Sequence, residues 1–260
     1  MQQHFNVKAA ESIELTLPTL PEQEAIGNML GSLDEKVAAN EKVRLLVDDL
    51  LQAKFGRLCQ GRGRAALRDI ADVNAIAVKP QPGSNLRYLD ISSVQQGFYV
   101  GPEETPWDSA PGRARRALRF GDTVWSTVRP NRRSHALILE DDPLLVASTG
   151  LAVLSPRPGR VAGTYEASRR DVFASYLESV AEGSAYPAVR GDRFEAAPIP
   201  NITTAEWESF ERMALPLRMR VHAAEIESRV LMKARDELLP LLMSGRVKVR
   251  EAERVASEVL

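Results

Sequence analysis

Catalysis has little to draw on in these 260 residues: three histidines, one cysteine and scattered carboxylates. His4, His135 and His222 lie far apart, so no sequence-local pair has the spacing of two metal ligands on one element. His222 reads as part of a solvated helix face. Cys59 is the single thiol, which excludes a disulfide framework and any CxxC pattern and points to a reducing, cytoplasmic setting. Asp122, Glu140, Asp141 and Asp142 are oxygen ligands of the type that suits magnesium, but consecutive acids behind a strand read first as a solvated turn. No Walker-type glycine loop, GxSxG elbow or HExxH is present. These residues leave an enzyme open but carry no signature of one, and neither a cofactor nor a metal is expected.

Cations stand out instead. From Pro111 to His135 there are seven arginines (Arg113, Arg115, Arg116, Arg119, Arg129, Arg132, Arg133) against one acid, Asp122, in a protein of net charge −1. Arginine in preference to lysine favours forked hydrogen bonding to phosphate and to the major-groove edge of guanine. The densest part is "STVRPNRRSH", Ser126 to His135. There Asn131 offers the bidentate amide that suits adenine, and Ser126 and Thr127 offer hydroxyls to phosphate. Two readings remain open on these residues, a surface arginine cluster and a grip on an anionic polymer. Trp125, on the strand that leads into the turn, reads as core.

The elements that hold this turn follow from periodicity. Pro21 with Glu22, Gln23 and Glu24 marks a helix start, where the helix dipole favours acids. Apolar residues then recur in a four-three alternation: Ile26, Leu30, Leu33, Val37, Val47 and Leu51, interrupted by Asn40 and Arg44. A second helix, from about Glu206 to Met243, repeats the pattern with Leu217, Val221, Ala224, Leu231, Leu238 and Leu242, interrupted by Ser228 and Arg235. Superposing the stripes aligns Lys42 with Lys233, Arg44 with Arg235 and Leu51 with Leu242. Leaving such seams in water forfeits about 1.5–3 kcal/mol per side chain, so the two helices are expected to pair. The repeat extends upstream: "VKAAESIELTLP" from Val7 parallels "VRGDRFEAAPIP" from Val189.

Between the helices the pattern is mixed. "LRDIADV", "RYLDISSV", "GDTVWSTV", "HALILE" and "LLVASTGLAVLS" read as strands, with one helix at about Arg170 to Glu182. The fold class expected is α+β, one mixed globule between two long helices. No apolar run approaches the ~20 residues of a membrane span, and the N-terminus has no signal-peptide pattern, so neither a membrane nor export is expected.

In this order, "LPEQEAIGNMLGSLDEKVAANEKVRLLVDDLL", "GDTVWSTVRPNRRSHALI", "ASTGLAVLSP", "GSAYPAVRGDRFEAAPIP" and "ESRVLMKARDELLPLLMSGRVKV" resemble the specificity subunit of type I restriction-modification systems over nearly the whole chain. That family alternates target recognition domains with helices that pair as an antiparallel coiled coil. The resemblance implies a spacer helix over 19–58, a target recognition domain over 62–203, and a second helix with its tail over 204–260. Residues 1–18 correspond to the tail of a preceding recognition domain, so a half-size or truncated subunit is expected. The implied function is sequence-specific binding of double-stranded DNA, directing methyltransferase subunits that carry S-adenosylmethionine. A motor endonuclease subunit and a second copy of the chain are further implied partners. The absence of an NPPY-type methyltransferase motif agrees with that division of labour. The implied DNA contacts are Ser126, Thr127, Arg129, Asn131, Arg132 and Arg133, then Tyr186 and Arg190. Tyr186 before Pro187 has an alternative role in shaping a turn. The implied helix-pairing residues are Leu30, Leu33, Val37, Val47, Leu51, Val221, Leu231, Leu238 and Leu242. A competing reading is a coiled-coil decoy that binds methyltransferase subunits without reading DNA.

Overall fold

The computed structural model describes residues 17–252 and 254. Residues 7–16 of the upstream repeat, and most of the 1–18 segment, lie outside the described residues. Helix α1 spans Leu20–Leu58, followed by three short helices, α2 (Val161–Ser168), α3 (Asp171–Ser179) and α4 (Gly191–Glu195), and the long α5 (Thr204–Met243). Both long helices begin with the same device. The backbone N–H and hydroxyl of Thr19 donate to Glu22 at 2.9 and 2.8 Å, and those of Thr203 donate to Glu206 at 3.0 and 2.7 Å. Each is a Thr-x-x-Glu capping arrangement, and each holds its glutamate carboxyl below the usual range. At its far end α5 closes on Gly245 (φ +68°), with Arg246 N–H donating to Leu241 O at 3.0 Å and Gly245 N–H to Leu242 O at 3.1 Å. This double bond satisfies the last carbonyls and needs the left-handed conformation that glycine adopts without strain.

Two compact units result, one from residues up to Leu45 and from Val221 onward, the other from Leu46 to Arg220. In the first, the helices run antiparallel. Ile26 and Met29 share a buried cluster with Leu242 and Ala252, flanked by Leu30 and Leu238. Asp34 pairs with Arg235 at 2.6 Å. The polar interruptions of the two stripes meet: Asn40 is buried, and its Nδ2 donates to Ala224 O, Glu227 Oε2 and Ser228 Oγ at 3.2, 2.6 and 3.2 Å. A buried amide with mated partners disfavours a shifted register, where it would lose them. The seam differs slightly from strict alternation. Met29 is buried, whereas Leu30, Val37 and Leu238 are half-buried and Leu33, Leu231 and Leu242 lie inside.

The second unit holds the strands. β1 (Arg64–Ala66) pairs antiparallel with β10 (Pro198–Pro200), clasping the entry and exit of the globule. One four-stranded sheet has β2 (Ala71–Val73), β9 (Leu151–Pro156), β6 (Thr123–Ser126) and β7 (His135–Leu137) in that order. The other has β4 (Glu104–Pro106), β3 (Asn85–Leu89), β8 (Leu145–Ser148) and β5 (Ala114–Ala117), with β3 and β8 parallel. Leu89, Leu145 and Ala147 from one sheet and Val124, Ala136, Leu151 and Val153 from the other form a common buried cluster. The first sheet is covered on its other face as well. Trp125 packs on Phe173 of α3 with centroids 5.7 Å apart, which explains why every residue of β6 is buried.

Three segments depart from the sequence reading. "LLVASTGLAVLS" is not one strand but two, β8 and β9, in different sheets and joined at Thr149–Gly150. A Cβ on Gly150 would collide with the Ile91 side chain, so glycine lets Ile91 pack directly onto this crossing. The helix expected to Glu182 ends at Ser179. Before it lies α2, which an amphipathic pattern could not reveal because nearly every one of its residues is buried. Among the described residues no helix is long and apolar enough to cross a membrane.

Candidate nucleic-acid interface

The crossing at Thr149–Gly150 gathers strand ends from both sheets. Ala114 at the start of β5 pairs with Ser148, and Ser126 at the end of β6 pairs with Leu151. Segments just beyond those ends are therefore neighbours, although they are far apart in sequence. Thr149 N–H donates to Arg113 O at 2.9 Å, and Thr127 N–H donates to Gly150 O at 2.9 Å. The exposed Arg113 and the turn after Ser126 thus share one edge.

That turn is held unusually firmly. Residues Pro130–Arg132 form a single 3-10 turn between two left-handed residues, Arg129 (φ 53°, ψ 62°) and Arg133 (φ 53°, ψ 34°). Each such non-glycine residue costs about 1–2 kcal/mol and persists only where the surroundings over-determine it. Here they do. Arg129 N–H donates to Pro187 O at 2.8 Å, Val189 N–H donates to Thr127 O at 2.8 Å, and Ser126 N–H donates to Ser134 O at 2.9 Å. The 3-10 turn closes itself through Arg132 N–H and Arg133 N–H onto Arg129 O and Pro130 O, both at 2.9 Å.

The eight residues marked for DNA are placed in four ways. Asn131 and Arg132 project from the apex and are exposed. Arg129, Tyr186 and Arg190 are brought to the same edge by the pairing of Val128 with Ala188. The Arg129 guanidinium lies 4.7 Å from the Tyr186 ring centroid, and Tyr186 is 69% exposed, a large aromatic offered to solvent. Arg190 pairs loosely with Glu182 at 3.0 Å, while Arg133 is engaged by Asp171 at 2.6 Å. Ser126 and Thr127 face inward. The Ser126 hydroxyl is buried and donates to Val128 O at 2.7 Å, and the Thr127 hydroxyl donates to Gly150 O at 2.9 Å. Neither hydroxyl faces outward for a phosphate as folded; both brace the turn. The seven-arginine run is likewise not one patch. Arg116 turns inward, donates to Leu151 O and has its pKa lowered by burial.

Behind the turn lies a second constellation that the sequence did not single out. His135 is buried and stacks on Trp125 with centroids 5.1 Å apart and planes 14° apart; its other side meets Tyr165 at 5.7 Å. Burial first, and the nearby Arg169 charge second, push its pKa down to about 4. The Tyr165 ring carries two guanidinium groups, Arg169 at 5.0 Å and Arg218 at 4.9 Å. These cations are matched by the buried Glu166 and the half-buried Asp48. Arg169 forks onto Asp48, Arg218 donates from Nη1 to Asp48 Oδ1 at 2.9 Å, and two nitrogens of Arg218 reach Glu166 Oε1. Burial alone would raise the Asp48 carboxyl, but the Arg169 and Arg218 contacts outweigh it and hold it well below the usual range. Glu211 of α5 anchors the same region by accepting from Ala162 N–H and Gly163 N–H at the start of α2, both at 3.1 Å.

Elsewhere, Glu140 and Asp142, two of the carboxylates considered for magnesium, are both engaged by Arg87, at 2.9 and 2.6 Å. Among the described residues no cluster of histidine, cysteine and carboxylate side chains could hold a metal ion.

No family model matches the chain, and no curated protein matches it. Solved structures do. The HsdS subunit from Thermoanaerobacter tengcongensis is 26% identical, with a TM-score of 0.48, over 69% of this chain and 47% of that one. A chain solved in work on complex assembly and conformational transition of the type I R-M system is 24% identical, with a TM-score of 0.49, over 70% of this chain and 50% of that one. The type I restriction-modification S subunit from M. genitalium is 16% identical, with a TM-score of 0.54, over 86% of this chain and 61% of that one. The chain spans about half the length of the first two. Motif order and backbone geometry converge: the chain has the fold of a type I restriction-modification S subunit.

Proposed function

We propose that this chain reads a short sequence in double-stranded DNA and directs methyltransferase subunits to it, as a non-catalytic specificity subunit of a type I restriction-modification complex. The observation that carries the proposal is the over-determined turn from Arg129 to Arg133, which offers Asn131 and Arg132 at its apex beside an exposed Tyr186 that stacks on the half-buried Arg129. Arginine and asparagine are the side chains whose donor patterns match guanine and adenine edges. Rigid presentation lowers the entropy lost on binding. In this reading residues 62–203 are the target recognition domain, and the helices over 19–58 and 204–260 carry the methyltransferase subunits, which supply S-adenosylmethionine. A motor endonuclease subunit and a second copy of the chain complete the set of partners.

The test is co-purification with a type I methyltransferase subunit, then selection of bound duplexes from a random pool at increasing salt. Affinity for the selected duplex should fall steeply between about 50 and 200 mM salt as counterions are released. Replacing Arg129, Arg132 and Arg133 together with Ala should abolish selection and flatten the salt slope, by about 0.9 for each phosphate that is no longer neutralised. The fold should survive, because Arg132 is exposed and the one ion pair lost, that of the half-buried Arg133 with Asp171, faces solvent on the Asp171 side and contributes little stability. Unchanged affinity in the triple variant overturns the site. Methyltransferase capture with a flat salt response instead favours the decoy.

A further inference from the structure

We infer that His135 is a positioning residue for the reading turn: its neutral imidazole, clamped between Trp125 and Tyr165, donates Nδ1–H to the Arg133 carbonyl and holds Arg133 in its left-handed conformation. The inference rests on the proposed DNA-reading role of that turn. His135 Nδ1 lies 2.6 Å from Arg133 O. A carbonyl only accepts, so Nδ1 carries the proton and Nε2 is bare. His135 Nε2 is buried with no hydrogen-bond partner, as suits the unprotonated nitrogen of that tautomer.

The neighbours reinforce neutrality. A second proton would place a cation in a buried site that already faces Arg169 and Arg218, with Asp48 and Glu166 committed to those arginines and Tyr165 between. The backbone of His135 is fixed independently, since its N–H donates to Gln95 O at 3.0 Å and its carbonyl accepts from Gly97 N–H at 2.8 Å. The ring is therefore a rigid post, and the Arg133 carbonyl is the part of the turn fastened to it. A phenylalanine would satisfy the stacking on Trp125 equally well. What distinguishes histidine here is the single donor aimed at the turn. Without it, the left-handed Arg133 keeps only its own 3-10 bond to Pro130 and its pairing with Asp171.

The experiment uses the full chain and the duplex selected by the wild type. His135→Phe keeps the ring and removes the donor, and should weaken DNA binding about tenfold, the worth of one part-buried hydrogen bond, while remaining folded. His135→Asn keeps a donor near Nδ1 and loses the stacking. It should lower the melting temperature yet bind within about threefold of the wild type, since the donor is retained. A folded His135→Phe that binds like the wild type, or a folded His135→Asn as weak as the phenylalanine variant, overturns the inference. Independently of variant folding, nitrogen-detected NMR of the wild-type imidazole should show the Nδ1–H tautomer, and an Nε2–H tautomer overturns it. If the wild type selects no duplex, the DNA-reading role itself fails, which is distinguishable from a failure of His135→Phe alone.

Discussion

Arg218 offers the sharpest test of how the globule is anchored to α5. Its side chain is 7% exposed and binds two acids at once, Glu166 at 1% and Asp48 at 18%. Arg218→Met keeps the apolar stem, fits a helix and removes the charge. Asp48 survives this change, because Arg169 still forks onto it. Glu166 does not, since its remaining cation is Arg169 at 3.7 Å. Leaving a buried charge without its hydrogen-bonded partner costs about 3–5 kcal/mol, more than the pair itself contributes relative to apolar replacements. At about 2–4 °C per kcal/mol for a chain of this size, the melting temperature should drop by about 6–20 °C. Adding Glu166→Met removes the stranded charge and should restore most of the loss. Circular dichroism melts of the wild type, the single and the double variant decide the matter. A single variant within about 1 kcal/mol of the wild type, or a double variant no more stable than the single, would mean that Glu166 does not depend on Arg218 for its charge.

Two further outcomes are expected. His135 has its pKa depressed from 6.5 to about 4, so the unfolded chain binds more protons than the folded one between those values. Its contribution is complete above pH 6.5 and is lost as pH falls through that window, about 3 kcal/mol in all at 1.36 kcal/mol per pKa unit. Urea unfolding in pH steps should show this difference between the wild type and His135→Phe, while groups common to both proteins cancel. On the helices, Leu231 is buried and Val37 half-buried. Leu231→Asp should therefore cost about 3 kcal/mol or more and Val37→Asp less than half of that, as read by chemical denaturation; equal losses would mean that the seam does not run through Leu231.

The long helices were legible because their signal is local. A four-three alternation reports which face is buried without reference to the partner, and the Asn40 and Ser228 interruptions, seen in the sequence only as breaks, meet across the pair. The resolution of that signal is one turn: it named Leu30 as a seam residue, whereas Met29, one position away, is the buried one. The strands were located less well. A strand covered on both faces has no alternation to read, and for that reason "LLVASTGLAVLS" looked like one element although its halves belong to different sheets.

Helix–globule–helix order, the α+β class and the position of the arginine-rich turn are all properties of residue type and short-range spacing, and could be read from the chain before it folds. Which members of that turn face outward is settled only once the sheets and helices have packed. Ser126 and Thr127 carry hydroxyls suited to phosphate, yet β6 is buried on both faces and Gly150 lies beside it, so both hydroxyls turn inward. Arg116 is drawn to Leu151 by the pairing of β5 with β8. His135 reaches Arg133 because Trp125, its partner on the neighbouring strand, and Tyr165, from a helix thirty residues further on, close on its ring. Long-range packing, which no local pattern encodes, separates the residues that support the turn from those that it presents.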